Sequence, residues 1–444
     1  MLLKFEFSNL YSYKDNACLD FTYHSRSSNI GKDNTIARYR EVYRDDKDKR
    51  KNSSRTIKVL NGNIVYGANA SGKTNLISAL RAFQIIVLRG DGFNRETINL
   101  PTFKFTNQQN NKVRFNIRLL NRIDNSLYKI EFGLVITKDF IIDEEFLSYS
   151  KISDKTGMAE KKKVIFNRTK RKIISVNRSI KKIARAIEAD NIDCSLILTK
   201  LVKGINRERF KNELRTIEYK VARSTFNEIA HKFLFINLAR SFSFSEERRL
   251  KRKLEEKDFK HNLLNELRKF DFSIRDIEVK EYPREDKDNN IENELSPETR
   301  RPYFLTKHEV KGREYTLSYR LESKGTHNFI RDYIYLFDAM KTGKFVIIDE
   351  FETSYHPELQ EELLYQLLNN TQNNNNFQFL LTTHNTHYMN PEFFSKEQIN
   401  FVDKDYKTQI SDIYKLSDYP DVSYNDDWER LYREHRLGGV PNIE

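Results

Sequence analysis

Val113, Phe115, Ile117 and Leu119 alternate with polar neighbours, and after the polar turn NRIDNS the alternation resumes at Tyr128, Ile130, Phe132 and Leu134. A period of two turns one side of each run toward a core, which predicts a hairpin of half-buried strands. The same pattern predicts paired strands at the start of the chain (Leu3 and Phe5, then Leu19 and Phe21) and a second strand pair around DKTGMAEKKK, ending at Val164-Ile165-Phe166. It also predicts a strand through Tyr315, Leu317, Tyr319 and Leu321. Other runs are shorter and continuously apolar. Ile64-Val65-Tyr66 reads as a short strand, and Phe345-Val346-Ile347-Ile348 and Phe379-Leu380-Leu381 as strands buried on both faces of a parallel sheet.

Helical spacing appears at Leu76, Ala79, Leu80, Phe83 and Val87, directly after the first apolar strand. It returns between Ser175 and Phe270, where Ile180, Ile183, Ala184 and Ile187 share one face and EERRLKRKLEEK is charged on its others. A projecting helical arm is the simplest reading of that stretch, with a compact helical domain as the alternative. Helices are also expected over residues 328–340 and 359–368. Residues 25–55 read as a polar loop and residues 282–301 as a linker. The whole predicts an α/β protein with a mixed sheet and an antiparallel β subdomain. Its head is split into residues 1–145 and 301–444, and residues 146–300 insert a β hairpin followed by a helical arm.

Composition adds three constraints. Of 444 residues, 38% are hydrophobic and 32% charged, yet 31 Phe and 23 Tyr supply the bulk for folded cores. A formal charge of +13 favours an acidic partner, with nucleic acid the first candidate and solvated basic faces the alternative. Cys18 and Cys194 form no metal-ligand spacing, the first residues carry no secretory pattern, and no apolar run is long enough to cross a bilayer. A cytoplasmic protein is expected.

Gly67 and Gly72 stand five residues apart in GANASGKT, in a chain with only 14 glycines. Such a loop between a strand and a helix turns its backbone N–H groups toward phosphate oxygens. The predicted nucleotide contacts are Gly67, Asn69, Ala70, Ser71, Gly72, Lys73, Thr74 and Asn75. Lys73 reaches the β and γ phosphates, and the Thr74 hydroxyl holds Mg²⁺. In FVIIDE a buried strand ends on two carboxylates: Asp349 is the second metal ligand, and Glu350 orients and polarises the attacking water. In LLTTHNTH, His384 rather than His387 is placed to hydrogen-bond the γ phosphate.

The order GANASGKT, ESKGT (322–326), FVIIDE, FETSYHP (351–357) and TTH resembles the ABC-type P-loop ATPases, in the branch shared with SMC and RecF proteins. Within it the chain is similar to the phage-defence ATPases RloA, AbiL and AriA of the PARIS system, and LGGVPNI (437–443) resembles the RloA-like tail. The likeness covers the first and last ~140 residues, a usual extent for a split domain.

The resemblance implies that Ser323, Gly325 and Thr326 contact the γ phosphate of ATP held by a second copy, so that a homodimer, or a larger oligomer, sandwiches two nucleotides. It places Ser354 and His356 in the D-loop at the opposite phosphate loop. The family's metal-contacting Q-loop glutamine falls on Gln108, with Gln109 beside it. Tyr11 stands in NLYSYKD where the family often has a basic residue. The family pairing further implies a slow regulatory ATPase that senses a phage-encoded trigger and controls a companion Toprim or RloB-like nuclease. A RecF- or SMC-like ATPase of DNA repair is the alternative, carried by the basic runs EKKKVIFNRTKRKIISVNR and RRLKRK. A transporter subunit is excluded by ESKGT in place of LSGGQ and by the large charged insertion.

Overall fold

The computed structural model describes residues 1–23, 39–44, 56–90, 98–106, 111–153, 156–189, 195–237, 244–269, 273–280, 302–352, 356–368 and 375–440. In chain order the strands and helices are β1 (Leu2–Ser8), β2 (Ala17–Asp20), β3 (Tyr39–Arg44), β4 (Thr56–Leu60), β5 (Gly62–Tyr66), α1 (Lys73–Arg89), β6 (Lys112–Ile123), β7 (Ser126–Thr137), β8 (Ile142–Lys151), β9 (Lys163–Thr169) and β10 (Lys172–Val176). The helical stretch then contains α2 (Lys181–Ala189), α3 (Ile197–Lys203), α4 (Ile217–Lys232), β11 (Phe233–Asn237), α5 (Phe244–Leu254) and α6 (Lys257–Lys269). The rest is β12 (Ile274–Lys280), β13 (Tyr303–Val310), β14 (Arg313–Ser318), α7 (Lys324–Thr342), β15 (Phe345–Asp349), α8 (Pro357–Leu368), β16 (Gln378–Thr382), β17 (Ile399–Lys404), β18 (Ser411–Lys415) and α9 (Trp428–Arg433).

The chain forms two compact units. One comprises Met1–Phe235, Gly343–Glu350 and Leu364–Glu444; the other comprises Ile236–Thr342 and Phe351–Leu363.

The first unit holds an antiparallel sheet of order β10-β9-β8-β7-β6-β1-β2 and a mixed sheet of order β11-β15-β16-β5-β17-β18. In the second sheet β15, β16, β5 and β17 are mutually parallel, and β18 returns antiparallel to β17. The alternating runs became the β6–β7 hairpin, turned at Asp124 and Asn125 with φ of 47° and 64°. Apolar side chains make the core: Phe83 of α1 lies 5.5 Å from Phe5 and 5.2 Å from Phe115, ring centre to ring centre. Burying each such ring is worth roughly 1.5–3 kcal/mol. Gln378 joins the two sheets by its amide, accepting from Leu2 N–H at 2.7 Å and donating to the Leu2 and Leu60 carbonyls at 3.0 and 3.1 Å.

Helices α2 to α4 belong to this unit, and α3 is fixed electrostatically. The fully buried Glu145 accepts the Ile197 and Leu198 N–H groups, each at 2.9 Å, and faces the equally buried Arg168 at 3.5 Å. Phe233-Leu-Phe-Ile forms strand β11 inside the stretch read as helical, because its unbroken aromatic and aliphatic side chains suit a buried sheet position better than an amphipathic helix. Residues 39–44, within the expected polar loop, pair antiparallel with β4.

In the second unit, β12, β13 and β14 form an antiparallel sheet, and α5, α6 and α7 supply its helices. Helix α7 begins at Lys324, four residues before its expected start. The strand read through Leu321 stops at Ser318, and Tyr319–Leu321 is a 3₁₀ turn. No helix among the described residues is long and apolar enough to cross a membrane.

Candidate functional site: a phosphate loop beside two carboxylates

The registers of the mixed sheet bring several motifs to one edge. Ile348 pairs with Leu381 and Thr382 with Val65, so β15, β16 and β5 reach their carboxyl ends together. In a parallel sheet that edge is where ligands bind. Gly67 opens the loop that follows β5, Asp349 ends β15, and Thr382 and Thr383 end β16.

The loop is tightly fitted. A Cβ on Gly67 would lie 2.4 Å from the Val402 carbonyl and 2.6 Å from Ser71 Oγ. Gly72 has a φ of 126°, and a Cβ there would meet Ser411 Oγ at 2.7 Å and Ser12 Oγ at 3.0 Å. Gly72 is the N-cap of α1. No side chain among the described residues caps the helix, and its first turn carries no acid, so its positive dipole end suits an anion. Lys73 is buried and donates to the Gly67 and Ala68 carbonyls at 2.8 and 3.0 Å, which holds its ammonium against the loop. Thr74 is exposed at the start of the helix, and Asn75 is half-buried.

Remote residues hold this loop in place. Tyr13 donates its hydroxyl proton to the Gly72 carbonyl at 3.1 Å, and burial pushes its pKa well above the usual phenol range, so the phenol stays a donor. Ser12 accepts from Asn75 Nδ2 at 2.9 Å and from Ser411 Oγ at 2.7 Å, and the Ser411 hydroxyl also lies against the Ser71 carbonyl. Three polypeptide segments thus meet at one loop. Ser12 lies in the quoted string NLYSYKD, but nothing in the sequence pairs it with Ser411, about 400 residues later in the chain by number, because that contact comes from the β17–β18 register.

Along the same edge, Asp349 accepts the Thr382 hydroxyl proton at 2.6 Å, while Thr382 Oγ1 accepts the Glu350 N–H at 2.9 Å. One hydroxyl therefore fixes both carboxylate residues. Glu350 has a φ of 52°, an uncommon backbone conformation that turns the chain sharply as it leaves β15. Its side chain is exposed, as is that of His384, and Asp349 is half-buried. A hydroxyl at Thr74 and a carboxylate at Asp349 are oxygen donors of the type Mg²⁺ takes, so this donor set fits that ion. No cluster of three or more His, Cys, Asp or Glu that could hold a metal occurs among the described residues.

Ser323, Gly325 and Thr326 belong to the second unit. The Ser323 hydroxyl caps α7, accepting from Thr326 N–H at 3.1 Å and lying 2.9 Å from Thr326 Oγ1. Glu322, which opens ESKGT, is clamped from β13 by Thr306 and by His308 Nε2 at 2.8 Å. His356 is exposed just before α8, and its carbonyl accepts from the Leu359 and Gln360 N–H groups, each at 3.0 Å. Gln108, Gln109 and Ser354 lie outside the described residues.

The glycine-rich tail packs beside the phosphate loop. Tyr414 and Tyr419 each donate to the Leu437 carbonyl at 3.0 Å, and Tyr432 donates to the Gly439 carbonyl at 2.8 Å. Burial, with Asp403 adding to it, pushes the Tyr432 phenol up to about 12. Of the basic run 161–171, Lys161 and Lys163 are exposed, Lys162 pairs with Glu131 at 2.5 Å, and Arg168 is the buried partner of Glu145.

Comparison with known proteins matches residues 63–390 to the family described as "AAA domain, putative AbiEii toxin, Type IV TA system". Among solved structures, the SMC head domain from Thermotoga maritima is 12% identical with a TM-score of 0.38, covering 93% of this chain and 98% of that one. The Smc head domain with a coiled coil and joint from Pyrococcus yayanosii is 11% identical with a TM-score of 0.41, covering 98% and 99%. An SMC head bound to the C-winged helix domain of ScpA is 13% identical with a TM-score of 0.40, covering 93% and 97%. No curated protein matches the chain.

Proposed function

The chain belongs to the AAA-domain family described as putative AbiEii toxin of type IV toxin–antitoxin systems, and from that premise we propose that it is an ATP-hydrolysing ABC-type switch whose two active sites are each shared between two copies. The observation that carries this reading is the Thr382 clamp, which fixes Asp349 and Glu350 at the same sheet edge as the Lys73 loop. The loop N–H groups and Lys73 bind and orient the triphosphate. Glu350 accepts the proton of the attacking water, and His384 donates to the γ phosphate. Thr74 and Asp349 would hold Mg²⁺, which supplies charge neutralisation at the phosphates when bound; Gln108 is the third proposed contact. Ser323, Gly325 and Thr326, with Ser354 and His356, complete the site of the partner copy.

We assign the switch to an anti-phage system of the RloA, AbiL and AriA kind, in which a phage-encoded trigger acts on the ATPase and a separate Toprim or RloB-like nuclease is the effector. The motif order and the family match support that assignment. Clamping of DNA in the RecF or SMC manner is the second reading, favoured by the exposed Lys161 and Lys163. The test pairs phosphate release with phage plating in cells carrying the gene and its neighbours. Lys73→Ala should lose ATP binding, turnover and protection together. Full protection by that variant would make the ATP site incidental to defence.

A further inference from the structure

Glu322 ends the 3₁₀ turn Tyr319–Leu321, its N–H donating to the Tyr319 carbonyl at 3.1 Å, and Ser323 caps α7 directly after it. Glu322 and Ser323 alone join turn to helix, so the course of ESKGT depends on what holds their side chains. Ser323 and Thr326 bond each other within the cap, and His327 Nε2 lies 2.6 Å from the Tyr319 carbonyl. Those bonds shape the turn and the helix start. The Glu322 carboxylate adds a hydrogen-bonded fastening to the sheet: its Oε1 accepts from the Thr306 hydroxyl and from His308 Nε2 at 2.8 Å, both on β13.

We propose that His308 is a positioning residue for ATP hydrolysis: by holding the Glu322 carboxylate against β13, it sets where Ser323, Gly325 and Thr326 meet the nucleotide of the partner copy. The inference rests on the shared-site reading. His308 is well placed for the task, because β13 is the middle strand of its sheet and His308 stands opposite Ile274 of β12 and Tyr315 of β14. The side chains of His308 and Glu322 are only 14% and 10% exposed, and Thr306 is buried, so little water competes for the carboxylate. All of these residues lie in the second unit.

The ring is itself oriented from its far side. His308 Nδ1 lies 2.9 Å from Ser273 Oγ, just ahead of β12. A carboxylate is an acceptor only, so Nε2 is the nitrogen that carries the proton toward Glu322, and the Ser273 hydroxyl can give to Nδ1 or take from it. Ser273 therefore fits the ring whether the imidazole is neutral or charged. Electrostatics gives the fastening its purpose. A carboxylate one residue ahead of Ser323, if free to swing, would meet an incoming triphosphate as a like charge. Bound to two donors on β13, it stays with the sheet and leaves the hydroxyls and the start of α7 to the phosphate.

Phosphate release by mixtures of full-chain variants tests the role. His308→Leu alone should hydrolyse ATP about tenfold more slowly, and His308→Gln, whose amide keeps a donor for Glu322, should recover most of that loss. In an equal mixture with Lys73→Ala, His308→Leu should reach about a quarter of wild-type turnover, because each mixed dimer joins its intact phosphate loop to an undisturbed ESKGT. Mixed with Ser323→Arg it should gain nothing, since both copies then bring a faulty ESKGT. His308→Asn, too short to reach Glu322 but still polar, should repeat the pattern and serves if leucine at this position unfolds the chain. Unchanged turnover in both variants, rescue by both mixing partners or by neither, or no recovery in His308→Gln overturns the assignment. Lys73→Ala mixed with Ser323→Arg separates the two readings: an inactive mixture refutes the shared site and the role of His308 with it, whereas regained turnover leaves the His308 mixtures to decide that role alone.

Discussion

Thr382 gives its hydroxyl proton to Asp349 Oδ1 across 2.6 Å and takes the Glu350 N–H at 2.9 Å, so a single side chain of β16 positions two consecutive residues at the end of β15. Thr382→Val keeps the shape and removes both bonds. Turnover should fall about ten- to a hundredfold, as when partners of reactive groups are deleted, and Thr382→Ser should restore most of it. ATP affinity should change little. Steady-state phosphate release and calorimetric titration read the two effects separately.

Glu350→Gln keeps the hydrogen-bonding shape but cannot accept a proton. Hydrolysis should drop by about a hundredfold or more, and ATP should then accumulate a stable dimer visible by light scattering. Normal turnover would remove Glu350 from the proton-accepting role.

Gly72→Ala places a methyl group where Ser411 Oγ and Ser12 Oγ already lie, at a φ of 126°. The strain should cost on the order of 1–3 kcal/mol in urea unfolding, and ATP affinity should fall with it. Gly312, with a φ of 75° and open space around its Cβ position, is the control for backbone strain without collision.

Asp20 predicts an acid-sensitive contribution to stability. Burial alone would raise its pKa, but Lys4 at 2.6 Å and the Thr22 hydroxyl and N–H outweigh it and hold the carboxyl below its ordinary 3.8. A carboxyl depressed in the folded state stabilises above its unfolded value and loses that contribution as pH falls through the folded one. The stability difference between wild type and Asp20→Asn should therefore be full at neutral pH and shrink below the ordinary aspartate range. A difference that does not shrink as pH falls below that range contradicts the pairing.

The elements readable from the chain were those whose side chains declare their own surroundings. Alternation at Val113–Leu119 marks a sheet with one buried face, and unbroken apolar runs at Phe345 and Phe379 mark one buried on both. The loop GANASGKT stood out because two glycines and a lysine at that spacing, between a strand and a helix, suit one phosphate ligand. Ser12, Tyr13 and Ser411 were not legible as loop supports, since ordinary polar residues gain that role only through long-range register. Strand β17 was missed for a related reason: Ile399-Asn400-Phe401-Val402 contains Asn400, whose amide is buried and donates to the Gln398 carbonyl at 3.0 Å. The start of α7 was misplaced because its cap is Ser323 itself, a residue that the signature reading had already claimed.

The shared-site claim is tested most directly by mixing two dead variants, Lys73→Ala and Ser323→Arg, each of which should hydrolyse no ATP alone. In an equal mixture, mixed dimers pair the intact phosphate loop of one copy with the intact ESKGT of the other, so about a quarter of wild-type turnover should return. A mixture as inactive as its two components would contradict a pocket built from both copies.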